Sequence, residues 1–344
     1  MTSLLSFLDR YHIRQGRMLI GVSGGADSVA LLRSLQQVSS SRQLQLYAAH
    51  FDHALREDSQ EDARWVQNLC AELKIPCILE QRPGKLPGET ASESTVAEET
   101  ARNWRYDFFQ RHLEKEDCRW LALAHTADDQ VETILHHLVR GSGLKGLRGI
   151  PAIRLLSRTG QKTISSPSEI SQKEAWLIRP FLEVRRGEIE ASLAAHQQPY
   201  RTDSTNASSR YTRNRIRNEI LPILRKELNP RVDQALLQLS QQAQDAQEVL
   251  NTIVRDLLTT AVLDRQMGIV RLQRTILLNQ PVGLLREFFS GLWELQGWPR
   301  QGQSFAHLEQ LARMVRTQSP RRLSLPGKVE ACCREKIFEL RRTN

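Results

Sequence analysis

A run of small and polar residues near the N-terminus has the composition of an anion-binding loop. It follows a short apolar run at 18–22, precedes a helical pattern of apolar residues, and consists of Ser23, Gly24, Gly25, Ala26, Asp27 and Ser28. Glycines let a backbone turn tightly and approach a ligand closely, and the N–H groups at the start of a helix attract phosphate. The run therefore predicts a cradle for phosphate or pyrophosphate. The same residues also fit a plain turn in which Asp27 and Ser28 cap the helix.

The spacing excludes two common nucleotide-binding loops. No Gly-Lys-Ser/Thr follows, so the run is not a Walker A loop, and the G-x-G-x-x-G spacing of dinucleotide-binding folds is absent. Asp27 would repel a phosphate unless a cation lay between them. A Mg²⁺ ion that bridges Asp27 and phosphate oxygens would remove this repulsion, because Mg²⁺ is commonly held by one or two carboxylates together with substrate phosphates.

Strands and helices alternate around this run. Apolar runs predict strands at 18–22, 44–50, 75–80, 119–125 and 176–179, and helical spacing predicts helices at 59–73, 95–116, 127–140 and 184–196. This alternation predicts an α/β fold with a doubly wound parallel sheet. Such sheets bind ligands at the carboxyl ends of their strands. We therefore expect the loops at 23–28, 50–56 and 125–132 to converge on one crevice.

Two pairs of charged residues in the predicted helices could carry the chemistry. Asp129 and Glu132 are three positions apart at the start of a helix, so they share a face and could hold an ammonium group or Mg²⁺. They also fit simple stabilisation of the helix start by acidic residues. Arg102 and Arg105 share a helix face in the same way. They could clamp a phosphate, or they could form a solvated basic surface.

Four further side chains are secondary candidates because they also follow predicted strands. They are His50, His53, Arg56 and His125. A lone histidine in such a place is more often a packing or hydrogen-bonding residue than a catalyst. The histidines do not form a helical H-x-x-x-H pair, which argues against a zinc site.

The character of the sequence changes near residue 224. The polar stretch 152–174 is predicted to be a loop or an extruded hairpin, whereas the glutamine-rich stretch 227–258 has the apolar spacing of one long helix. Residues 269–272 are a candidate strand. We therefore predict a catalytic domain at 1–224 and a smaller, mainly helical α+β domain at 225–344.

The charge of the chain points to an acidic partner. The formal net charge is +9, and residues 201–226 contain seven Lys or Arg against two acidic residues. Arginines interleaved with an aromatic residue suit RNA, through phosphate neutralisation and base stacking. The predicted RNA-binding residues are Arg210, Tyr211, Arg213, Asn214, Arg215 and Arg217. A solvated charge run would have the same composition.

The chain shows no sign of a membrane or secreted protein. Its N-terminus lacks a signal peptide, and no apolar run approaches the roughly 20 residues that a membrane helix needs. The five cysteines are irregularly spaced and include no C-x-x-C pair. These features predict a cytoplasmic protein that makes no contact with a membrane and has mostly structural thiols.

Several stretches resemble a known family. The run Ser23–Ser28 resembles the PP-loop of the ATP pyrophosphatases, whose fold is the adenine nucleotide alpha-hydrolase-like sheet. Others resemble, within that class, the tRNA(Ile)-lysidine synthase family: His50-Phe51-Asp52-His53-Ala54-Leu55-Arg56, Glu98-x-x-x-Arg102-x-x-Arg105-Tyr106, Ala124-His125-x-x-Asp128-Asp129-Gln130-x-Glu132-Thr133, Arg140-Gly141-x-Gly143-x-x-Gly146-Leu147, Arg179-Pro180-Phe181-Leu182 and Tyr211-x-Arg213-Asn214-x-Ile216-Arg217. The resemblance covers roughly residues 15–225, in order.

The resemblance implies a ligase that modifies a transfer RNA. Such an enzyme uses ATP, with Mg²⁺, to adenylate the wobble cytidine of the isoleucine tRNA with a CAU anticodon. L-lysine then attacks C2 of the cytidine, and AMP and pyrophosphate are the by-products. The residues implied as catalytic are Asp27, Arg102, Arg105, Asp129 and Glu132, and residues 23–28 are implied to bind ATP. The oligomeric state is left open, with a homodimer as one option.

Three other functions compete with this interpretation. A tRNA thiolase on the same fold would need catalytic or cluster-binding cysteines, and no pair is suitably placed. A non-catalytic RNA-binding protein would gain nothing from Asp27, Asp129 and Glu132, because acidic residues in an RNA groove weaken binding. A small-molecule ligase such as a GMP or asparagine synthetase would not need a second basic domain.

Overall fold

The computed structural model describes residues 2–52, 59–82, 94–156, 174–201 and 212–343. The chain divides into two compact units, Met1–Ala243 and Gln244–Asn344, and each unit has a hydrophobic core of its own. Within the described ranges, no helix is both long and apolar enough to cross a membrane.

A six-stranded sheet forms the centre of the first unit. Its strands are β1 (Gly16–Gly21), β2 (Leu44–Asp52), β3 (Cys77–Gln81), β4 (Trp120–Ala122), β5 (Ile153–Leu155) and β6 (Trp176–Ile178). They lie in the order β3-β2-β1-β4-β6-β5, and all neighbours are parallel except β5 and β6. The predicted parallel sheet and its five predicted strands are confirmed. From β1 the strand order runs to one side through β2 and β3, and the chain then crosses back to place β4 on the other side of β1. Ligands bind in such folds at this switch point, between β1 and β4.

The added strand, β5, begins in the stretch that the sequence predicted as a polar loop or hairpin. Ile153 and Leu155 are buried, and β5 pairs antiparallel with β6 at the edge of the sheet. Three residues are too few for a pattern of alternation to be recognised in the sequence. The rest of that stretch, 157–173, lies outside the described residues.

In the described part of the first unit, seven helices surround the sheet or adjoin it. They are α1 (Thr2–Arg10), α2 (Ala26–Ser39), α3 (Ser59–Glu72), α4 (Ser94–Lys115), α5 (Ala127–Val139), α6 (Leu144–Leu147) and α7 (Arg186–Ala195). Successive residues of β1 point to opposite faces. Met18 and Ile20 therefore pack in one core cluster with α2 and α7, whereas Leu19 packs in another with Phe108 and Phe109 of α4.

An irregular helical stretch at 212–228 follows. It consists of α8 (Thr212–Arg215), a turn of π-helix at Ile216–Ile220, α9 (Leu221–Ile223) and a second π turn at Leu224–Leu228. Pro222 has no backbone N–H, so a regular α-helical ladder cannot continue through it. Ile216 and Leu221 pack against Val131, Ile134 and Leu135 of α5, which holds this stretch beside the start of that helix.

The long helix α10 (Val232–Ala261) continues from the first unit into the second. It lies close to the predicted helix at 227–258. Its beginning belongs to the first unit because Leu236 packs with α5 residues Val131 and Ile134. The first compact unit therefore extends past residue 224, where the sequence analysis placed the end of the catalytic domain.

The second unit combines an antiparallel sheet with three further helices. Its elements are β7 (Val262–Gln266), β8 (Ile269–Gln273), α11 (Arg274–Leu278), α12 (Val282–Leu295), α13 (Phe305–Thr317), β9 (Arg322–Leu325), β10 (Val329–Cys333) and β11 (Ile337–Arg342), and the strand order is β7-β8-β11-β10-β9. Its core contains Phe288, Phe289, Trp293 and Phe338. The predicted α+β class and the strand near 269–272 are confirmed.

Candidate active site

The glycine loop lies between β1 and α2, as the sequence predicts. The backbone N–H of Ser23 donates to Oγ of Ser28 at 3.1 Å, and the Ser28 hydroxyl donates to the carbonyl of Gly25 at 3.0 Å. Gly24 has φ +90°, in the region where an L side chain is strained. Its carbonyl accepts the backbone N–H of Arg201 at 2.9 Å, which joins a distant part of the chain to the loop.

The start of α2 has no side-chain cap. Its N-cap residue is Gly25, which has no side chain with which to cap the helix. The first N–H groups of a helix have no partner within the helix, and they carry the positive end of its dipole. A phosphate group bound in the loop would satisfy them.

Asp27 lies in the first turn of α2 and is largely buried. Nη2 of Arg186, the first residue of α7, donates to its Oδ2 at 3.0 Å. Its other oxygen, Oδ1, is buried and has no hydrogen-bond partner among the described residues. Burial raises the pKa of Asp27, although Arg186 opposes this effect. An unsatisfied buried carboxylate oxygen is costly, and a cation would satisfy it, so Asp27 fits a Mg²⁺ ligand.

Asp129 and Glu132 lie in the first turns of α5, directly after β4. The backbone N–H of Thr126 donates to Oδ2 of Asp129 at 2.8 Å, and the N–H of Asp129 donates to Oγ1 of Thr126 at 3.4 Å. This reciprocal pair is a capping box. Asp129 therefore stabilises the helix start, which was one of the two roles that the sequence allowed for it. Glu132 is only 4% exposed and takes no part in the capping.

Both carboxylates are paired with Arg217, from the helical stretch 212–228. Nε and Nη2 of Arg217 donate to the two carboxylate oxygens of Glu132 at 2.5 and 2.9 Å, and Nη2 lies 3.4 Å from Oδ1 of Asp129. Burial raises the pKa of Glu132 even so, and Arg217 opposes the rise. Sequence reasoning assigned Arg217 to RNA, whereas the structure places it on the carboxylates of the crevice. Its RNA contact stays a prediction.

Arg186 is a site residue that sequence reasoning missed. It pairs with Asp27 and also interacts electrostatically with Asp129 and Glu132. The carboxylates of α2 and α5 and the two arginines thus form one charged group, which we call the carboxylate cluster: Asp27, Asp129, Glu132, Arg186 and Arg217. Its place in the sequence could have indicated this role, because Arg186 begins the helix that follows β6 and so lies at the same edge of the sheet.

A second charged group, which we call the arginine cluster, lies around Tyr106 of α4. It consists of Arg102, Arg105, Arg154 and Arg179. The guanidinium carbons of Arg102 and Arg154 lie 5.1 and 5.3 Å from the centre of the Tyr106 ring. Burial acts to raise the pKa of Tyr106, but the four arginines outweigh it, so that the net effect is a lowered pKa. The predicted pair Arg102 and Arg105 therefore belongs to a larger cationic group, in which Arg154 and Arg179 are buried.

His125, the last residue before the cap of α5, contacts the arginine cluster. Nε of Arg179 donates to Nδ1 of His125 at 3.3 Å. Burial, together with Arg179, Arg105, Arg102 and Arg213, lowers the pKa of His125 well below its usual value. The secondary candidate His125 is thus held beside the arginines that the sequence predicted as catalytic.

The remaining predicted residues are placed differently. His50 is buried, and its Nδ1 donates to the carbonyl of Val22 at 2.8 Å, which is a structural hydrogen bond. Arg213 donates to Oγ1 of Thr133 at 3.4 Å, and Asn214 lies beside it in α8. Arg215 is exposed and pairs with Glu219 at 3.5 Å. Four predicted residues lie outside the described part of the chain: His53, Arg56, Arg210 and Tyr211.

The described residues contain no group of three or more His, Cys, Asp and Glu side chains arranged to hold a metal ion. Magnesium sites in nucleotide-using enzymes commonly rely on one or two carboxylates, with phosphate oxygens and water as the other ligands. The arrangement around Asp27 is of that kind.

Comparison with known proteins first defines the class. The PP-loop domain family matches residues 2–224, which include the loop, both charged clusters and the whole six-stranded sheet. Among solved structures, the U34-tRNA thiolase NcsA from Methanococcus maripaludis superimposes with a TM-score of 0.54 at 16% identity, over 71% of this chain and 78% of the thiolase. That likeness concerns the fold alone.

The relatives define the family within the class. A tRNA(Ile)-lysidine synthase from Nostoc is 30% identical over 318 residues, which is 88% of this chain and 85% of the relative. One from Geobacillus kaustophilus is 37% identical over 264 residues, and one from Thermotoga maritima is 37% identical over 222 residues. The chain therefore belongs to the tRNA(Ile)-lysidine synthase family of PP-loop proteins. It matches about half of the Geobacillus and Thermotoga relatives, at 53% and 48% of their lengths.

Proposed function

We propose that this protein is an ATP-dependent ligase that joins L-lysine to C2 of the wobble cytidine of the isoleucine tRNA with a CAU anticodon. The reaction passes through an adenylated cytidine and releases pyrophosphate and AMP. The observation that carries the proposal is that a glycine loop at a helix start, a carboxylate pair bound to Arg217 and a cationic cluster occur in one PP-loop domain. The name of the relatives supports the choice of substrates.

The glycine loop and the start of α2 are suited to the phosphates of ATP. The first N–H groups of the helix can hold pyrophosphate, and Asp27 can hold Mg²⁺ through Oδ1, which has no partner in the described part of the chain. When bound, Mg²⁺ would neutralise the negative charge that develops on the leaving pyrophosphate. Arg186 keeps the other oxygen of Asp27 in place.

Glu132 and Asp129 are suited to the ammonium group of lysine. The guanidinium of Arg217 already lies between them, so a cation fits there. An uncharged analogue of lysine should bind less well, because it cannot make a charge-assisted hydrogen bond to the buried carboxylate of Glu132. A lysine ammonium group would bind the two carboxylates alongside Arg217, or it would replace one of the hydrogen bonds that Arg217 makes to them.

The arginine cluster is suited to the activated base. Adenylation of the cytidine brings a phosphate and a developing oxyanion into the site, and fixed cations stabilise such charge without reorganising. Arg102 and Arg105 supply two of these cations, and Arg154 and Arg179 supply the other two. Exposed arginines of the stretch 212–228 would contact the tRNA backbone.

A single incubation tests the proposal. The protein is mixed with ATP, Mg²⁺, labelled lysine and an isoleucine tRNA transcript with the CAU anticodon, and acid-insoluble label is counted. We expect label in the RNA and AMP in equal amount. A matched transcript with U in place of the wobble cytidine should take up none. Incorporation that does not depend on the wobble base, or its absence with ATP present, would contradict the proposal.

The same incubation separates the ligase from a thiolase. Cys70 and Cys118 are buried in the cores of the first unit. Cys77 packs against the same core as Cys70, at the amino end of β3 and so away from the carboxyl ends of the strands. Cys332 and Cys333 lie in the second unit. This distribution does not favour a sulfur-transfer site. A sulfur donor in place of lysine should therefore leave the transcript unmodified, as seen by mass spectrometry of its nucleosides.

A further inference from the structure

One nitrogen of the His125 ring has a defined partner. Nδ1 lies 3.3 Å from Nε of Arg179, which donates to it. A guanidinium has only donors, so Nδ1 must be the unprotonated, accepting nitrogen. In a neutral imidazole the proton is then on Nε2, which makes Nε2–H a hydrogen-bond donor.

Arg179 cannot easily turn away from this contact. It is 3% exposed, Nη1 donates to the carbonyl of Pro151 at 2.5 Å, and its backbone N–H donates to the carbonyl of Ala152 at 2.9 Å. Burial lowers the pKa of Arg179 to about 10, so the side chain is still charged at neutral pH. Its position is therefore fixed from two sides, and it remains a donor.

Protonation of His125 to the charged imidazolium is disfavoured by burial and by several neighbouring charges. Burial disfavours the charged imidazole, and four arginines from three elements face it: Arg179 at the end of β6, Arg102 and Arg105 of α4, and Arg213 of α8. Tyr106, which lies among these arginines, supplies no full negative charge while its phenol is protonated. The imidazole therefore stays neutral over the range in which an ordinary histidine titrates, near pH 6.5.

We propose that Arg179 is a positioning residue that fixes His125 as the neutral tautomer with the proton on Nε2. His125 then donates a hydrogen bond to the substrate oxygen that becomes adenylated, and it does not act as a proton-accepting base. The inference rests on the proposed function for the identity of that oxygen. The assignment of the tautomer rests only on the contacts of Arg179 and the surrounding charges.

This assignment gives the site a donor whose strength does not change with pH. Negative charge gathers on an oxygen during activation and attack, and a fixed donor stabilises that charge more in the transition state than in the ground state. A base at this position would instead need to gain a proton among four arginines. The charges of the arginine cluster make that step unfavourable.

Two substitutions distinguish a donor from a base. The amide nitrogen of His125→Gln can reach the place of Nε2, whereas the amide of His125→Asn reaches only the place of Nδ1. For lysine incorporation we expect the Gln variant to stay within about tenfold of the wild type, and the Asn variant to lose about 10²–10³-fold. His196→Gln, at an exposed position after α7, is the control and should leave the rate unchanged. Equal losses in the Gln and Asn variants would overturn the donor role.

Nitrogen NMR tests the tautomer without any catalytic assay. The protein is labelled with ¹⁵N-histidine, and the His125 signals are identified by their loss in His125→Gln. We expect an unprotonated Nδ1 and a protonated Nε2, unchanged between about pH 5.5 and 8. In Arg179→Gln the ring should become titratable in this range, whereas Arg179→Lys, which keeps a charge, should show a smaller change.

The outcomes separate this inference from the proposed function. A wild-type His125 that titrates near its ordinary pKa, or that carries its proton on Nδ1, overturns the tautomer assignment even if the protein is a lysine ligase. If lysine incorporation is absent but the neutral Nε2-protonated ring is found, the proposed function fails while the positioning role of Arg179 stands.

Discussion

Asp27 is a largely buried carboxylate with one oxygen on Arg186, and its other oxygen has no hydrogen-bond partner among the residues that the structure describes. If Asp27 binds the cation that accompanies pyrophosphate, Asp27→Asn should lower AMP formation at least about 10²-fold, because transition-state charge is no longer neutralised. Exposed Asp9→Asn is a matched control that should keep full activity. AMP release in the presence of tRNA and lysine is the measurement. Normal turnover by the Asn variant would remove Asp27 from the ATP site.

The same substitution should affect stability in the opposite direction. Burial raises the pKa of Asp27, so the folded pKa lies above the unfolded one and the charged form destabilises the fold. The loss of stability from the charged carboxylate is absent below the pKa that Asp27 has in the unfolded chain. It grows as the pH rises and is complete above the pKa that Asp27 has in the folded protein. Asp27→Asn should therefore melt at a higher temperature than wild type at pH 7.5, with a smaller difference at acid pH. A lower melting temperature at pH 7.5 would show that Arg186 outweighs burial.

Glu132 allows a test of how lysine is bound. Glu132→Gln removes the charge that faces an ammonium group but keeps the shape of the side chain, so we expect KM for lysine to rise by about tenfold or more, since a charged hydrogen bond contributes about 1.5–3 kcal/mol. KM for ATP should change little. Glu190→Gln, exposed on α7, is the control. An unchanged lysine dependence would limit Glu132 to holding Arg217.

Single residues also show what the sequence could predict. Asp27, Asp129 and Glu132 could be named as candidates because their positions at strand ends and helix starts are local features that a sequence displays. Their pairing with Arg186 and Arg217 was not predicted, because Arg186 is separated from Asp27 by 159 positions and Arg217 from Glu132 by 85. Nothing in local spacing shows which of many arginines will meet a given carboxylate. The fold was more predictable than the contacts within the site.

At the scale of elements, the arginines of the stretch 212–228 lie in two different environments, one beside the carboxylate cluster and one exposed to solvent. Arg217 is directed at Glu132, whereas Arg215 is exposed beside Glu219. We expect Arg215→Gln to reduce the slope of log affinity for tRNA against log salt by at most about 0.7–0.9, the value for one lost phosphate contact. Arg217→Gln should leave the slope unchanged and impair lysine incorporation.

A filter-binding titration at several salt concentrations compares these two variants. The two substitutions remove the same charge from the same element, so their difference reports the surroundings rather than the net charge. If Arg217→Gln flattens the salt dependence as much as Arg215→Gln does, Arg217 leaves the carboxylates when tRNA binds, and the RNA contact predicted from sequence is correct.

At the scale of the whole molecule, the second unit lacks any stretch that resembles a catalytic motif, yet residues 244–344 contain 15 Lys or Arg and ten Asp or Glu. We predict that this unit supplies tRNA affinity. A chain ended after Ala243, where the first compact unit ends, should bind ATP as the full chain does but hold tRNA more weakly, because phosphate contacts supply most of the affinity. Thermal melting checks that the shortened chain folds. Equal tRNA affinity and equal salt slope in both chains would assign another task to the second unit.

The division between the two units falls inside α10, a helix of 30 residues, and not in a loop. Proteases cut extended backbone, and a helix must open locally before it can be cut. Mild digestion should therefore fail to release the two units as intact fragments, even though each has its own core. A digest that yields two folded fragments separated within α10 would show that the middle of this helix opens readily.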